Sequence, residues 1–254
     1  MVLKEQRGSF PMNQLIECRT RGIEVIDGCS FYEQLTGKVL VQKINPSWLV
    51  FSDGYKKSVI RNVLKRMEDI IGSFLLLVFF SPLLVLVGVL IKIDSKGPVF
   101  FVQDRVGKNK KEFMMHKFRS MVHNAESLTG PVWAGQDDPR ITSVGKIIRK
   151  FRIDELPQLY DVFLGRMSLV GPRPERSHFT EQLEKEIPFY SQRFLVKPGI
   201  TGWAQVSYDY GATVEDAIEK LNYELFYIKN MSTTFDLVIM LQTVKIVLFG
   251  RGAR

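Results

Sequence analysis

From Ile70 to Ile91 the chain carries no charged residue: IIGSFLLLVFFSPLLVLVGVLI. These about 22 residues, rising ~1.5 Å each as a helix, reach across roughly 30 Å of hydrocarbon. The run is apolar on every side, which disfavours a core helix with one buried face. Ser81-Pro82 sits at its midpoint. A proline there removes a backbone donor and crowds the preceding turn, so the pattern predicts a break, with Ser81 as a donor to a freed carbonyl. Lys56, Lys57, Arg61, Lys65 and Arg66 precede the run, and Lys92 and Lys96 follow it. Positive charge on both flanks gives no inside–outside asymmetry. The expectation is a re-entrant helix–break–helix hairpin with two arms of about 11 residues, which returns to the side it entered from. A kinked true span is the alternative.

Elsewhere the periodicity changes. Gly22–Ile26 (GIEVI) and Lys38–Ile44 (KVLVQKI) predict short strands, with a helical link over Ser30–Thr36. Val99–Gln103 and Glu112–His116 predict a hairpin around the basic tip RVGKNKK. Residues 117–127 predict the start of a helix, and residues 129–142 a loop marked by Gly130-Pro131 and Asp137-Asp138-Pro139. Ser143 is a cap candidate for a basic amphipathic helix from Val144 to about Phe151, of the kind that lies at an anionic membrane surface or packs on its own core. Pro157 fits only the first turn of a helix, so one is expected to start near Asp154 or Glu155 and run through Leu164. Thr213 is a cap candidate for a helix over Val214–Lys229, and Thr234–Phe249 reads as a further, strongly apolar interfacial or core helix. The sum is an α+β chain, mainly helical, with a small β element.

Composition narrows the partners. The formal net charge of +8 over 254 residues suits phosphorylated substrates or an anionic membrane surface. Nucleic acid is set aside, because the basic residues do not interleave with an aromatic stacking platform. Cys18 and Cys29 make no disulfide framework, which favours a reducing, cytoplasmic setting for the polar parts. His116, His123 and His178 show no metal-ligand spacing with them and read as structural. Trp203 reads as a core or interface residue or as a stacking surface for a base or sugar.

Candidate chemistry concentrates in RKFRIDELPQLYDVFLGRMSLVGPRP, Arg149 to Pro174. Adjacent carboxylates, Asp154 and Glu155, stand among Arg149, Arg152 and Arg173. A carboxylate pair at a helix start is often an ordinary cap with salt-bridge partners. Here Pro172 and Pro174 stiffen the backbone on both sides of Arg173, which suits a fixed phosphate clamp.

These blocks resemble a known family. Lys65-Arg66 ahead of the apolar run, Ser81-Pro82, Arg105-Val106-Gly107, Lys117-Phe118-Arg119-Ser120-Met121, Asp154 to Leu159, Met167 to Pro174 and Lys197 to Val206 stand in the order found in the bacterial sugar transferases, the monotopic phosphoglycosyl transferases. The tail YDYGATVEDAIEKL resembles the larger two-domain members, and residues 22–54 resemble the end of their N-terminal domain, which implies a trimmed version of such a protein. Two positions depart: Arg166 stands where the family usually has Asp, and Asp161 where Asn is common.

The resemblance implies a remnant of a soluble domain and linker over 1–58, a membrane-associated re-entrant helix over 59–96 and a catalytic domain over 97–254, held at the cytoplasmic face of a bacterial inner membrane. It implies transfer of a sugar 1-phosphate from a UDP-sugar to polyprenyl phosphate, with Asp154 as nucleophile and Mg²⁺ ligand and Glu155 assisting. Arg149, Arg173, Lys117 and Arg119 would hold substrate phosphates. Membrane lipids are expected partners, and a homodimer stays open. Two rivals remain: a glycosyltransferase releasing UDP, and a membrane scaffold of polysaccharide assembly with a degenerate site, toward which Arg166 leans.

Overall fold

In the computed structural model, which describes residues 11–43, 59–123, 125, 138–209, 211 and 213–249, two short helices precede one very long one. They are α1 (Met12–Thr20), α2 (Gly28–Thr36) and the 36-residue α3 (Val59–Asp94). The expected break at Ser81-Pro82 does not divide α3, which carries Pro82 inside it. Pro82 deprives the carbonyl of Val78 of its usual donor, and the Ser81 hydroxyl donates to that carbonyl at 2.8 Å. One stripe of α3 is covered: Asp69, Ser73, Val87 and Ile91 are buried, with Leu77 and Leu84 packed between them. Much of the rest is exposed apolar surface, including Phe74, Phe79, Val85 and Leu86.

Both ends of α3 are tied to the same body. Near its start Arg66 donates to the carbonyls of Val162 (2.8 Å) and Phe163 (2.7 Å), and Asp69 accepts from the Ser168 hydroxyl (2.8 Å) and the Leu169 N–H (2.9 Å). At its end Asp94 accepts from the Val144 N–H at 3.2 Å. There Arg119, buried, donates to the carbonyls of Ile91, Ser95 and Lys96 and satisfies the orphan acceptors of the last turn. The chain leaves through Gly97 at φ +127°, where a Cβ would lie 2.2 Å from the Arg119 guanidinium.

The hairpin β1 (Phe100–Val106) and β2 (Glu112–Phe118) is antiparallel, with Phe100 opposite Phe118 and Val106 opposite Glu112. No helix follows over 119–123; the Arg119 N–H bonds instead to the Val99 carbonyl and prolongs the ladder. The remainder of the expected helix falls partly outside the described residues, as does the expected loop 129–142, of which 138–142 are described; Lys56 and Lys57 also lie outside them. Helix α4 (Ser143–Lys150) is capped by Thr142 rather than Ser143, the Thr142 hydroxyl accepting from the Gly145 N–H. Ile148 enters the core while Ile147 and Phe151 stay exposed. After a 3₁₀ turn, Ile153–Glu155, come α5 (Gln158–Phe163), β3 (Ser168–Val170), α6 (Ser177–Glu186), a 3₁₀ stretch Tyr190–Leu195, β4 (Gly199–Thr201) and α7 (Trp203–Ser207). Strands β3 and β4 pair in parallel, Ser168 with Gly199 and Val170 with Thr201.

Helix α8 (Val214–Asn230) begins with a capping box between Thr213 and Asp216, and α9 (Thr233–Leu248) with Ser232 as its cap. The main core forms between α5, β3, α8 and α9, around Val162, Met167, Leu221, Leu225 and Ile239. The N-terminal segment packs on this body. Val39 and Val41 are buried in its core, and their N–H groups bond to the carbonyl and side-chain oxygens of Asn222. Neither expected strand there exists: residues 23–27 are irregular and Val41–Lys43 is a 3₁₀ turn. Among the described residues the architecture is mainly helical α+β, with one long apolar helix and two two-stranded sheets.

Candidate active site

Between α4 and α5 the chain reverses at Arg152, which adopts a left-handed φ of +53°. The next three residues form the 3₁₀ turn that holds Asp154 and Glu155. The pair therefore sits one turn ahead of an α-helix, not in its first turn, and α5 has only six residues. A dipole built from so few peptide units gives little help to an anion, so the local electrostatics come from side chains.

Those side chains treat the two carboxylates differently. Glu155 is buried, and its Oε1 accepts from Lys117 Nζ at 2.9 Å and from Arg173 at 2.8 Å, with Arg152 at 3.8 Å from Oε2. Burial alone would raise its pKa, but the charges of Arg173, Lys117 and Arg152 outweigh it and hold this carboxyl well below the usual range. Asp154 is half-buried and, among the described residues, accepts no side-chain hydrogen bond. Burial first, and the neighbouring Glu155 charge second, raise its pKa to about 6 against the pull of Lys117, Arg149 and Arg173. One carboxylate is locked as an anion by three cations, while the one beside it keeps its oxygens available.

Four of the expected site residues thus meet: Asp154, Glu155, Lys117 and Arg173, with the Arg149 charge acting on Asp154. Arg119, three positions from β2's His116, is turned to the end of α3, its guanidinium occupied by backbone carbonyls. Ser81 and Pro82 lie mid-way along α3. Trp203 packs against Phe235 and donates to the Gly37 carbonyl at 2.7 Å, a tie to the N-terminal segment.

The residues that aim Arg173 went unseen in the sequence. Arg193 is buried, grips both oxygens of Glu224 (2.8 and 2.9 Å) and donates to the Arg173 carbonyl at 2.8 Å. On the other side Arg105 donates to the Pro174 carbonyl at 3.0 Å. Two arginines therefore hold successive peptides of the GPRP turn, and Gly171 fits against β4 where a Cβ would meet the Lys197 carbonyl at 2.5 Å. Arg105 was visible in the basic hairpin tip and in the Arg105-Val106-Gly107 block, but without this task; Arg193 lies in no motif.

The departures from the family pattern also meet. The Arg166 guanidinium lies 3.5 Å from Oδ1 of the fully buried Asp161, so the two opposite charges face each other.

A family model described as bacterial sugar transferase matches residues 60–250. The chain is 43% identical over 240 residues to the UDP-N-acetylgalactosamine-undecaprenyl-phosphate N-acetylgalactosaminephosphotransferase of Aeromonas hydrophila, covering 94% of this chain and 56% of that protein. It is 42% identical over 193 residues to the UDP-glucose:undecaprenyl-phosphate glucose-1-phosphate transferase of Escherichia coli (strain K12), 74% of this chain and 40% of that one. With the exopolysaccharide production protein PSS of Rhizobium leguminosarum bv. phaseoli it shares 41% over 187 residues, 72% of this chain and 94% of that protein. The chain thus spans about half the length of the first two of these relatives.

Proposed function

Since this chain belongs to the bacterial sugar transferase family, we propose that it moves a sugar 1-phosphate from a UDP-sugar to undecaprenyl phosphate, releasing UMP and starting the synthesis of a surface glycan. The observation that carries the reading is the contrast inside the dyad: Glu155 fixed by Lys117 and Arg173, Asp154 beside it with its oxygens available. A nucleophilic carboxylate needs a free lone pair, and phosphoryl transfer needs cations at the reacting phosphate. An Asp154 oxygen attacks the phosphorus that bears the sugar; its bond to the bridging oxygen breaks and UMP leaves with the electron pair. An oxygen of the lipid phosphate then attacks the same phosphorus, the acyl–phosphate bond breaks, and Asp154 is regenerated as a carboxylate. Arg173, Arg149 and Lys117 steady the phosphate charge, while Glu155 keeps Lys117 and Arg173 in place.

A Mg²⁺ ion suits this donor set. The described residues hold no cluster of three acidic, histidine or cysteine ligands, and Mg²⁺ in phosphoryl-transfer sites takes one or two carboxylates plus substrate phosphates. Asp154 would hold it, and it would neutralise phosphate oxygens.

In the bilayer, α3 bends at Ser81-Pro82 without ceasing to be one helix, so that it enters and returns by one face, with the catalytic body at the cytoplasmic surface. What supports this is that both ends of α3 are tied to one body: Arg66 and Asp69 at one end, Asp94 and the Arg119-capped turn at the other. A span would have to carry part of that body across the membrane. Single cysteines at Lys56 and Lys96 should both resist a membrane-impermeant thiol reagent applied from outside; labelling of only one would establish a crossing.

The assay is direct. Protein in detergent receives Mg²⁺, undecaprenyl phosphate and a panel of UDP-sugars, and the released nucleotide is identified. UMP, absent with Asp154→Asn, is expected. UDP would mean transfer of the sugar alone, and no nucleotide from any donor would favour the scaffold reading.

A further inference from the structure

Six residues after Glu155, Asp161 is 0% exposed and ties β2 to the segment that follows the dyad. Its Oδ2 accepts the backbone N–H of His116 at 2.9 Å, and its Oδ1 lies 2.9 Å from His116 Nδ1. The Tyr160 ring meets the His116 ring edge-on, with centroids 5.9 Å apart. The Asp161 carbonyl accepts the N–H groups of Arg166 (2.9 Å) and Met167 (3.2 Å), which turn the chain into β3. The next residue of β2 after His116 is Lys117, whose ammonium reaches Glu155. In a strand, side chains of consecutive residues point to opposite faces. Fixing His116 by both backbone and ring therefore fixes the direction in which Lys117 leaves the strand.

We propose that Asp161 is a positioning residue of the dyad, clamping His116 so that the Lys117 ammonium is held against Glu155. The inference deepens the phosphotransfer reading and rests on it for its kinetic arm. Asp161 touches no reacting atom; it acts through His116 and Lys117. The carboxylate's remaining charge is met by Arg166 at 3.5 Å, which explains how a buried acid is accommodated at a position where the family commonly places a neutral amide.

The experiment compares Asp161→Ala with Asp161→Asn in the whole chain in detergent. UMP release gives kcat and KM for the UDP-sugar, and lysine acylation by an activated ester, read by mass spectrometry, gives the accessibility of Lys117 relative to Lys38. With Asp161→Ala, Lys117 acylation should rise about threefold while Lys38 stays constant, and kcat should fall about tenfold with KM within about twofold. Asp161→Asn still offers an oxygen to the His116 N–H and should recover kcat to within about threefold of the parent. Unchanged Lys117 acylation, or an unchanged kcat, in the alanine variant overturns the proposal. So does a uniform rise at all lysines with the asparagine variant no better, which is loss of fold rather than of position. Should the parent release no UMP, the functional reading falls, and the Lys117-to-Lys38 ratio alone decides the role of Asp161.

Discussion

Asp154 and Glu155 are adjacent residues of nearly the same chemistry, and their surroundings separate them. The proposed first step needs an ionised Asp154, so the rate of UMP release should rise with pH through about 6, where burial and the Glu155 charge place that group. Glu155→Gln removes the second cause and leaves the first. Its residual activity should be much lower, because Lys117 and Arg173 lose their anchor, and its acid limb should move to lower pH. A pH–rate profile of UMP release in both proteins checks the sign; a limb that stays put would mean the two charges do not act on each other. At this scale the sequence was legible where residues of one site are contiguous: the dyad and Arg173 fall in one motif. It was not legible for Arg119, which has the same side chain and stands two positions from Lys117. Only the fold shows that its guanidinium faces three carbonyls. Arg193 reaches the Arg173 peptide across 20 residues of sequence, and no local pattern signals that.

At the scale of elements, long periodic segments were readable and short ones were not. The apolar helix was evident from length, and its proline was softened by Ser81 as expected. Lys38–Ile44 shows why short strands mislead. The alternation was real, since Val39 and Val41 share a buried face, but among the described residues no second strand lies beside them. Their N–H groups find Asn222 of a helix instead. The dyad's helix was placed a turn too early because a 3₁₀ turn and an α-helix start present the same sequence signals. The clearest energetic prediction here concerns the end of α3. Arg119→Met leaves buried carbonyls without a donor and should cost about 2–4 kcal/mol, given that hydrogen bonds to a charged donor contribute ~1.5–3 kcal/mol each. Thr213→Ala removes a cap on α8 and should cost only about 1 kcal/mol. Chemical denaturation of both variants in detergent gives the comparison; equal losses would deny Arg119 its capping task.

For the whole molecule, the question is what residues 28–43 do for the body that carries the site. The family region begins at residue 60, yet Val39 and Val41 ahead of it are part of the core. Val39 and Val41 are each 1% exposed, Trp203 donates to Gly37, and ion pairs join Lys38 to Glu219 and Lys229 to Glu33. The Trp203 bond is made from α7 and the Asn222, Glu219 and Lys229 contacts from α8, whereas Glu155 is held by Lys117, Arg152 and Arg173. Apolar burial is worth ~25 cal/mol per Å² removed from water, so stripping this layer uncovers core surface and leaves the Trp203 N–H and the Asn222 oxygens to water. Deleting residues 1–43 should therefore lower the thermal midpoint by roughly 5 °C or more, at about 2–4 °C per kcal/mol for a chain this size. UMP release per folded molecule, measured well below that midpoint, should stay close to that of the full chain, because the clamp on Glu155 is intact. A truncated protein as stable as the parent would show that the layer is decoration. One that is folded but silent would show that the N-terminal segment reaches the chemistry by a route other than packing.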